Sequence, residues 1–167
     1  MRKLLTGLAC VVIGVVLGLG AQALAASPHG GPSGIRTLVL VTRQPEVQIL
    51  DLPPNGLSQG DTRVFNLAVY DASNTRRIGR LDGACQVTDP PDEAGESRIV
   101  AQCVKTFVLA GGSITVQGDA TYATLNNYPY PAVQAITGGT GAYRGERGQV
   151  NLVAQGANLI QTMQLIP

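Results

Sequence analysis

From Ile35 onward the chain is written in apolar runs of about five to ten residues, rich in Val, Ile, Thr and Tyr, each ending in a cluster of Gly, Pro, Asn or Asp. β-Branched and aromatic side chains suit a pleated, half-buried surface, and no stretch keeps a helical period beyond about two turns. Strands are expected at Thr37 to Thr42, Glu46 to Leu50, Thr62 to Tyr70, Arg77 to Thr88, Arg98 to Leu109, Ser113 to Tyr122, Ala132 to Ile136, Arg147 to Ala154 and Asn158 to Leu165. The first two flank Pro45 and read as one bent strand, which leaves eight. Turn residues at Ala72-Ser73-Asn74, Gly111-Gly112 and Gly156-Ala157 join neighbours by short hairpins. The expected fold is all-β, an eight-stranded antiparallel up-and-down β-barrel, because closure removes both sheet edges. A β-sandwich is the alternative, since closure is not written in a single sequence.

The first 25 residues are set apart from this pattern. Arg2 and Lys3 precede an uncharged apolar run from Leu4 to Leu19, and Ala23-Leu24-Ala25 offers small residues at the positions a signal peptidase reads. A signal peptide over 1–25, cleaved before Ala26, predicts a secreted protein, extracellular or periplasmic. A membrane anchor is the competing reading; interior glycines and the Gly/Pro-rich stretch that follows oppose it, so no stable membrane insertion is expected after cleavage. Cys10 lies within the apolar run as an ordinary signal-peptide residue. Residues 26–34 hold nothing that packs and read as a flexible leader, leaving 35–167 as a single domain.

Composition excludes several functions. Twelve basic residues stand against eleven acidic ones; removing Arg2 and Lys3 leaves ten against eleven, a net charge of about −1. That balance offers no electrostatic footprint for nucleic acid. His29 is the only histidine and falls in the leader, which argues against His-based triads and multi-His metal sites; no metal is expected.

Cys85 and Cys103 sit on adjacent expected strands. If the loop between them turns about residue 94, facing residues have numbers summing to 188, and 85 plus 103 is 188. A disulfide between direct partners is expected in an oxidising compartment and would stabilise the fold by about 3 kcal/mol; a free Cys85 thiol lining a pocket is the alternative.

The stretch Gly138-Gly139-Thr140-Gly141-Ala142-Tyr143-Arg144-Gly145-Glu146-Arg147-Gly148 has some likeness to a phosphate loop, but it lacks the Lys-Ser/Thr of that motif and leads into a strand, so a structural turn is expected. The carboxylates Asp51, Asp61, Asp71, Asp82, Asp119 and Glu146 are scattered, and no acid/base pair emerges from them. Lys105 is the only lysine after the signal segment and shares a strand face with Cys103 and Phe107. Because charges are rarely buried without partners, the favoured placement is the barrel rim. Opposite Gly83 it could instead project into a cavity, where burial would lower its pKa. Ile99 to Leu109 carries apolar residues on both faces, as a strand does at a subunit interface, so an oligomer is expected.

In order and spacing, Gly60-Asp61, Val64-Phe65, Tyr70-Asp71, Ile78-Gly79, Gly83-Ala84-Cys85, Gly112-Ser113-Ile114-Thr115-Val116-Gln117-Gly118, Ala135-Ile136-Thr137-Gly138-Gly139-Thr140-Gly141 and Arg147-Gly148-Gln149-Val150 resemble the allene oxide cyclase barrel, a relative of the dirigent proteins. The likeness spans about residues 46 to 155. It implies a calycin-like eight-stranded barrel, commonly a homotrimer, whose apolar cavity binds a reactive lipid or phenolic intermediate and controls its stereochemistry with no cofactor.

The family's reactive residues carry over in part. Cys85 matches a cysteine in Gly-x-Cys context, Gln48 stands near the place of a first-strand glutamate, Leu67 falls where an asparagine is expected, and Tyr122 is nearest to the family's tyrosine. Leu125 to Pro131 is inserted relative to the plant pattern. Ala142 occupies the position of a dirigent aspartate, while Arg147 matches the dirigent Arg-Gly. The expectation is therefore a secreted, cofactor-free barrel that binds a small hydrophobic molecule through Gln48, Phe65, Leu67, Lys105 and Tyr122. The resemblance implies an isomerase (cyclase) activity and identifies no catalytic residue. A non-catalytic ligand carrier or a structural extracellular protein is the alternative.

Overall fold

The structure, a computed structural model, describes residues 34–43, 46–91 and 97–167. The expected signal peptide, most of the expected leader with His29, the bend expected at Pro45 and the tip of the Cys85–Cys103 loop lie outside these residues.

Among the described residues nine strands form, β1 (Arg36–Arg43), β2 (Val47–Leu50), β3 (Thr62–Tyr70), β4 (Arg77–Asp89), β5 (Ile99–Leu109), β6 (Gly112–Tyr122), β7 (Ala132–Gly139), β8 (Arg147–Gln155) and β9 (Asn158–Ile166), with one short 3-10 turn at Gly141–Tyr143. Each pairs antiparallel with its neighbour in the order β1-β9-β8-β7-β6-β5-β4-β3-β2, and β1 returns to pair with β3 through Val41↔Tyr70 and Thr42↔Val69. That contact closes an eight-stranded barrel and rules out the sandwich. β2 is the extra strand; it pairs with the opposite half of β3, Val47↔Phe65 to Leu50↔Thr62, so β1 and β2 together flank β3 as one bent strand would.

Strand alternation sorts the side chains. Leu40, Val69, Leu81, Phe107, Ile114, Val116, Ile136, Val150, Leu152, Leu159, Met163 and Leu165 form a core drawn from eight strands, all but β2, each large residue contributing about 2 kcal/mol by leaving water. A second cluster gathers Cys85, Val87, Ile99, Ala101, Cys103, Ala120, Tyr122 and Leu125. Phe65 packs against both clusters. The outer face keeps Val104, Val133 and Val153 exposed on β5, β7 and β8.

Cys85 faces Cys103 in the β4–β5 ladder and the two form the disulfide, with the sum-of-188 register holding from Gly79↔Leu109 to Val87↔Ala101 before it shifts. The Gly138–Gly148 stretch is a structural turn: an added Cβ on Gly139 would lie 2.3 Å from the Tyr143 carbonyl oxygen, so only glycine fits there. β7 runs on through Gly139, three residues past the expected end, because a register shift at Thr115/Val116 lets Gly138 and Gly139 pair with β6. Where β6 and β7 part, buried Gln134 donates from Nε2 to the carbonyls of Gly118 (3.2 Å) and Asp119 (3.0 Å).

Candidate functional site

Between the two clusters lies a cavity of about 30 Å³, partly open to solvent. Room for a water or two is left at rest, so a larger molecule enters by displacing side chains. β3 supplies Arg63, Phe65 and Leu67; β4 supplies Leu81 and Cys85; β5 supplies Lys105; β6 supplies Ala120 and Tyr122; Leu152, Leu159 and Gln161 come from β8 and β9. Tyr128 and Pro129 reach in from the β6–β7 connection.

Phe65, Leu67, Lys105 and Tyr122 thus meet in one cavity. Gln48 does not join them. It pairs with Val64, one position out of step with Phe65, and is exposed on the outer side; the two-residue period of a strand turns it away from the interior. Ala142 and Arg147 are also exposed, away from the lining.

Lys105 is not at the rim. It is 5% exposed, and a glycine makes the space: Gly83 is its partner across the ladder, and a Cβ there would sit 3.0 Å from Lys105 Cγ and 2.6 Å from Phe65 Cζ. No hydrogen bond or ion pair of its ammonium is found among the described residues. Burial, and secondarily the nearby Arg63 charge, push its pKa down from 10.5 to about 7.

Arg63 is a second interior cation, 4% exposed. Its guanidinium donates from Nη1 to the Asn127 carbonyl at 2.8 Å, lies 4.9 Å from the Tyr122 ring centre and 5.6 Å from that of Phe65, and leaves Nε without a partner. Burial pushes its pKa down, opposed by Tyr122. Strand alternation already set Arg63 on the Phe65-Leu67-Val69 face, but a charged residue on an apolar face is easily passed over.

Tyr122 donates its hydroxyl to the disulfide, 3.3 Å from Cys85 Sγ and 3.4 Å from Cys103 Sγ. Burial raises its pKa against the opposing pull of Arg63. Tyr128 donates to the Ala157 carbonyl at 3.0 Å and the Thr42 carbonyl at 3.4 Å, pinning the connection across the barrel; burial first of all pushes its pKa up to about 12. Gln161 is fully buried, with Nε2 on Thr42 Oγ1 at 3.4 Å and Oε1 unpartnered. Tyr128 and Gln161 escaped the sequence reading. Gln161 shares the face of Leu159 and Met163, whereas Tyr128 sits in irregular chain where no period places it.

No described carboxylate lines the cavity. Asp61 is buried but occupied: it accepts from the Leu52 and Ser58 amides, both at 2.8 Å, and these bonds lower its pKa. Among the described residues no cluster of His, Cys, Asp or Glu fits a metal ion. Chemically, the site offers an apolar enclosure with two cationic groups, a phenol and a free amide oxygen.

Relatives share this architecture. The chain is similar to pyocyanin demethylase at 25% identity, covering 78% of this chain and 99% of that one with a TM-score of 0.64. It is also similar to AbnU, an exo-specific intermolecular Diels-Alderase (16% identity, 79% and 98% covered, TM-score 0.56). A pterocarpan synthase dirigent protein resembles it at 16% identity, with 79% and 83% covered and a TM-score of 0.55. No curated protein sequence matches the chain. Residues 36–160 match the allene oxide cyclase barrel like domain, and with three quarters of its length inside that match and the barrel closed as described, the chain belongs to the allene oxide cyclase barrel-like family.

Proposed function

We propose that this protein is exported and that its barrel binds a small, largely apolar molecule and guides its cyclisation or isomerisation without a cofactor. The observation that carries the reading is the partly open cavity between the two clusters, where Phe65 and Leu67 supply shape and Arg63, Lys105 and Tyr122 supply fixed polar contacts. An interior of this kind holds a flexible molecule in one reactive conformation and keeps water from it, and its polar groups already point inward before the ligand arrives. Structural relatives that include a Diels-Alderase and a dirigent protein support the same reading.

The narrow free space at rest supports a second reading, a carrier that closes tightly on its cargo and does no chemistry. Native mass spectrometry of the protein isolated from its own culture medium tests the binding reading and reports assembly, for which a homotrimer is proposed. A retained small molecule supports it; ligand-free protein, together with a collapsed interior in a crystal, overturns it. Conversion of that molecule by purified protein separates enzyme from carrier.

A further inference from the structure

Among the described residues Arg63 and Lys105 are the two buried cations, 4% and 5% exposed, and no described carboxylate lines the cavity they share. Two like charges in one apolar enclosure repel each other and forgo hydration, an arrangement a fold gains nothing by keeping for stability alone. Arg63 spends one bond on the Asn127 carbonyl and leaves Nε free, while Lys105 reaches the cavity on a stem that only glycine at position 83 admits. Among the described residues no carboxylate is placed to balance these two charges. Gln161 Oε1, buried and unpartnered on the same cavity, fits a protic group on the same molecule.

We propose that the ligand carries an anionic group, a carboxylate or an acidic phenol or enol, which enters the cavity and is held between Arg63 and Lys105, with its apolar body against Phe65 and Leu67. This rests on the reading of the cavity as a small-molecule site and names the class of molecule it takes. The groups facing Lys105 are the Arg63 guanidinium from β3, the Tyr122 phenol from β6 and the Tyr128 phenol from the β6–β7 connection; Cys85 and Cys103 are joined and do not titrate. Both phenols have raised pKa values and stay neutral near neutrality, so Lys105 alone changes charge there. An anion therefore binds best to protonated Lys105, and its affinity falls as pH rises above about 7.

The test is calorimetric titration of the disulfide-bonded protein with three probes of one shape: 2-naphthoate, its methyl ester and 2-naphthylmethylammonium. The expected result is a naphthoate Kd at least about tenfold below that of the ester, with the ammonium weakest. In Lys105→Met the naphthoate advantage shrinks by about tenfold while the ester Kd stays put; wild-type naphthoate affinity weakens from pH 6 to pH 9 and that of the variant does not. An ester or ammonium that binds as tightly as the carboxylate overturns the anion assignment and leaves the pocket standing. Failure of all three to bind overturns the pocket reading itself, and the assignment with it.

Discussion

Replacing Lys105 by methionine should make the protein more stable, and by an amount that depends on pH in a defined direction. The ammonium's folded pKa is lowered from 10.5 to about 7, a difference of 3.5 pH units. At 1.36 kcal/mol per unit this amounts to about 5 kcal/mol of destabilisation when Lys105 is protonated in the fold. For a base with a depressed folded pKa the sign is fixed. Between pH 7 and 10.5 the unfolded chain binds more protons than the folded one, so wild-type stability rises with pH by about 1.4 kcal/mol per unit. Below pH 7 the full penalty applies; above 10.5 it is gone. Methionine fills a similar volume, carries no charge and keeps the packing against Phe65. Urea melts of wild type and Lys105→Met, followed by far-ultraviolet circular dichroism because the chain has no tryptophan, should show a stability gap of about 5 kcal/mol at pH 6 that narrows to about 2 kcal/mol at pH 9. A variant less stable than wild type at pH 6, or a gap that stays constant with pH, would refute the claim that this ammonium is buried without a counter-charge.

Other positions yield further expectations. Removing the disulfide by Cys85→Ser with Cys103→Ser should cost about 3 kcal/mol, given a separation of 18 residues, and should free the Tyr122 hydroxyl it accepts from; denaturant midpoints that match with and without reductant would contradict this. Gly148→Ala should cost about 2 to 3 kcal/mol, because the new Cβ meets the Gln164 carbonyl oxygen at 1.9 Å and the residue's φ is +126°; an unchanged melting temperature would count against the β8–β9 register. Asp61→Asn should destabilise at neutral pH and lose its effect in acid. The folded carboxyl pKa is lowered, so its contribution is present above the ordinary value of 3.8 and disappears as pH falls through the lowered one; equal penalties at pH 7 and pH 2 would argue against the Leu52 and Ser58 bonds.

Much of the architecture was legible because β-strands alternate with a period of two. That period, counted from the turn near residue 94, brought Cys85 opposite Cys103, whereas Leu67 and Tyr122 were reached through the family resemblance and, with Phe65, line the cavity. The same period decides against Gln48: pairing with Val64 is one residue out of phase with the interior, a parity that family likeness does not fix. Lys105 and Arg63 were harder for another reason. Alternation points both inward, while the cost of burying a charge argues for the rim, and the sequence does not say which consideration wins. Here geometry wins because Gly83 opens the space and the Asn127 carbonyl and the Tyr122 ring receive the guanidinium. Tyr128 lies in the connection between β6 and β7, where contacts with Thr42 and Ala157 across the barrel fix it and no local pattern announces it.

The central claim is that the space between the two core clusters receives a small molecule, anionic end toward Arg63 and Lys105. Crystals grown with saturating 6-bromo-2-naphthoate test it most directly, since bromine is located by its anomalous scattering. The account predicts a bromine peak inside the barrel, with the carboxylate at the two cations and the naphthalene against Phe65 and Leu67. Bromine found only on the outer strands, with the interior filled by the protein's own side chains, would contradict it.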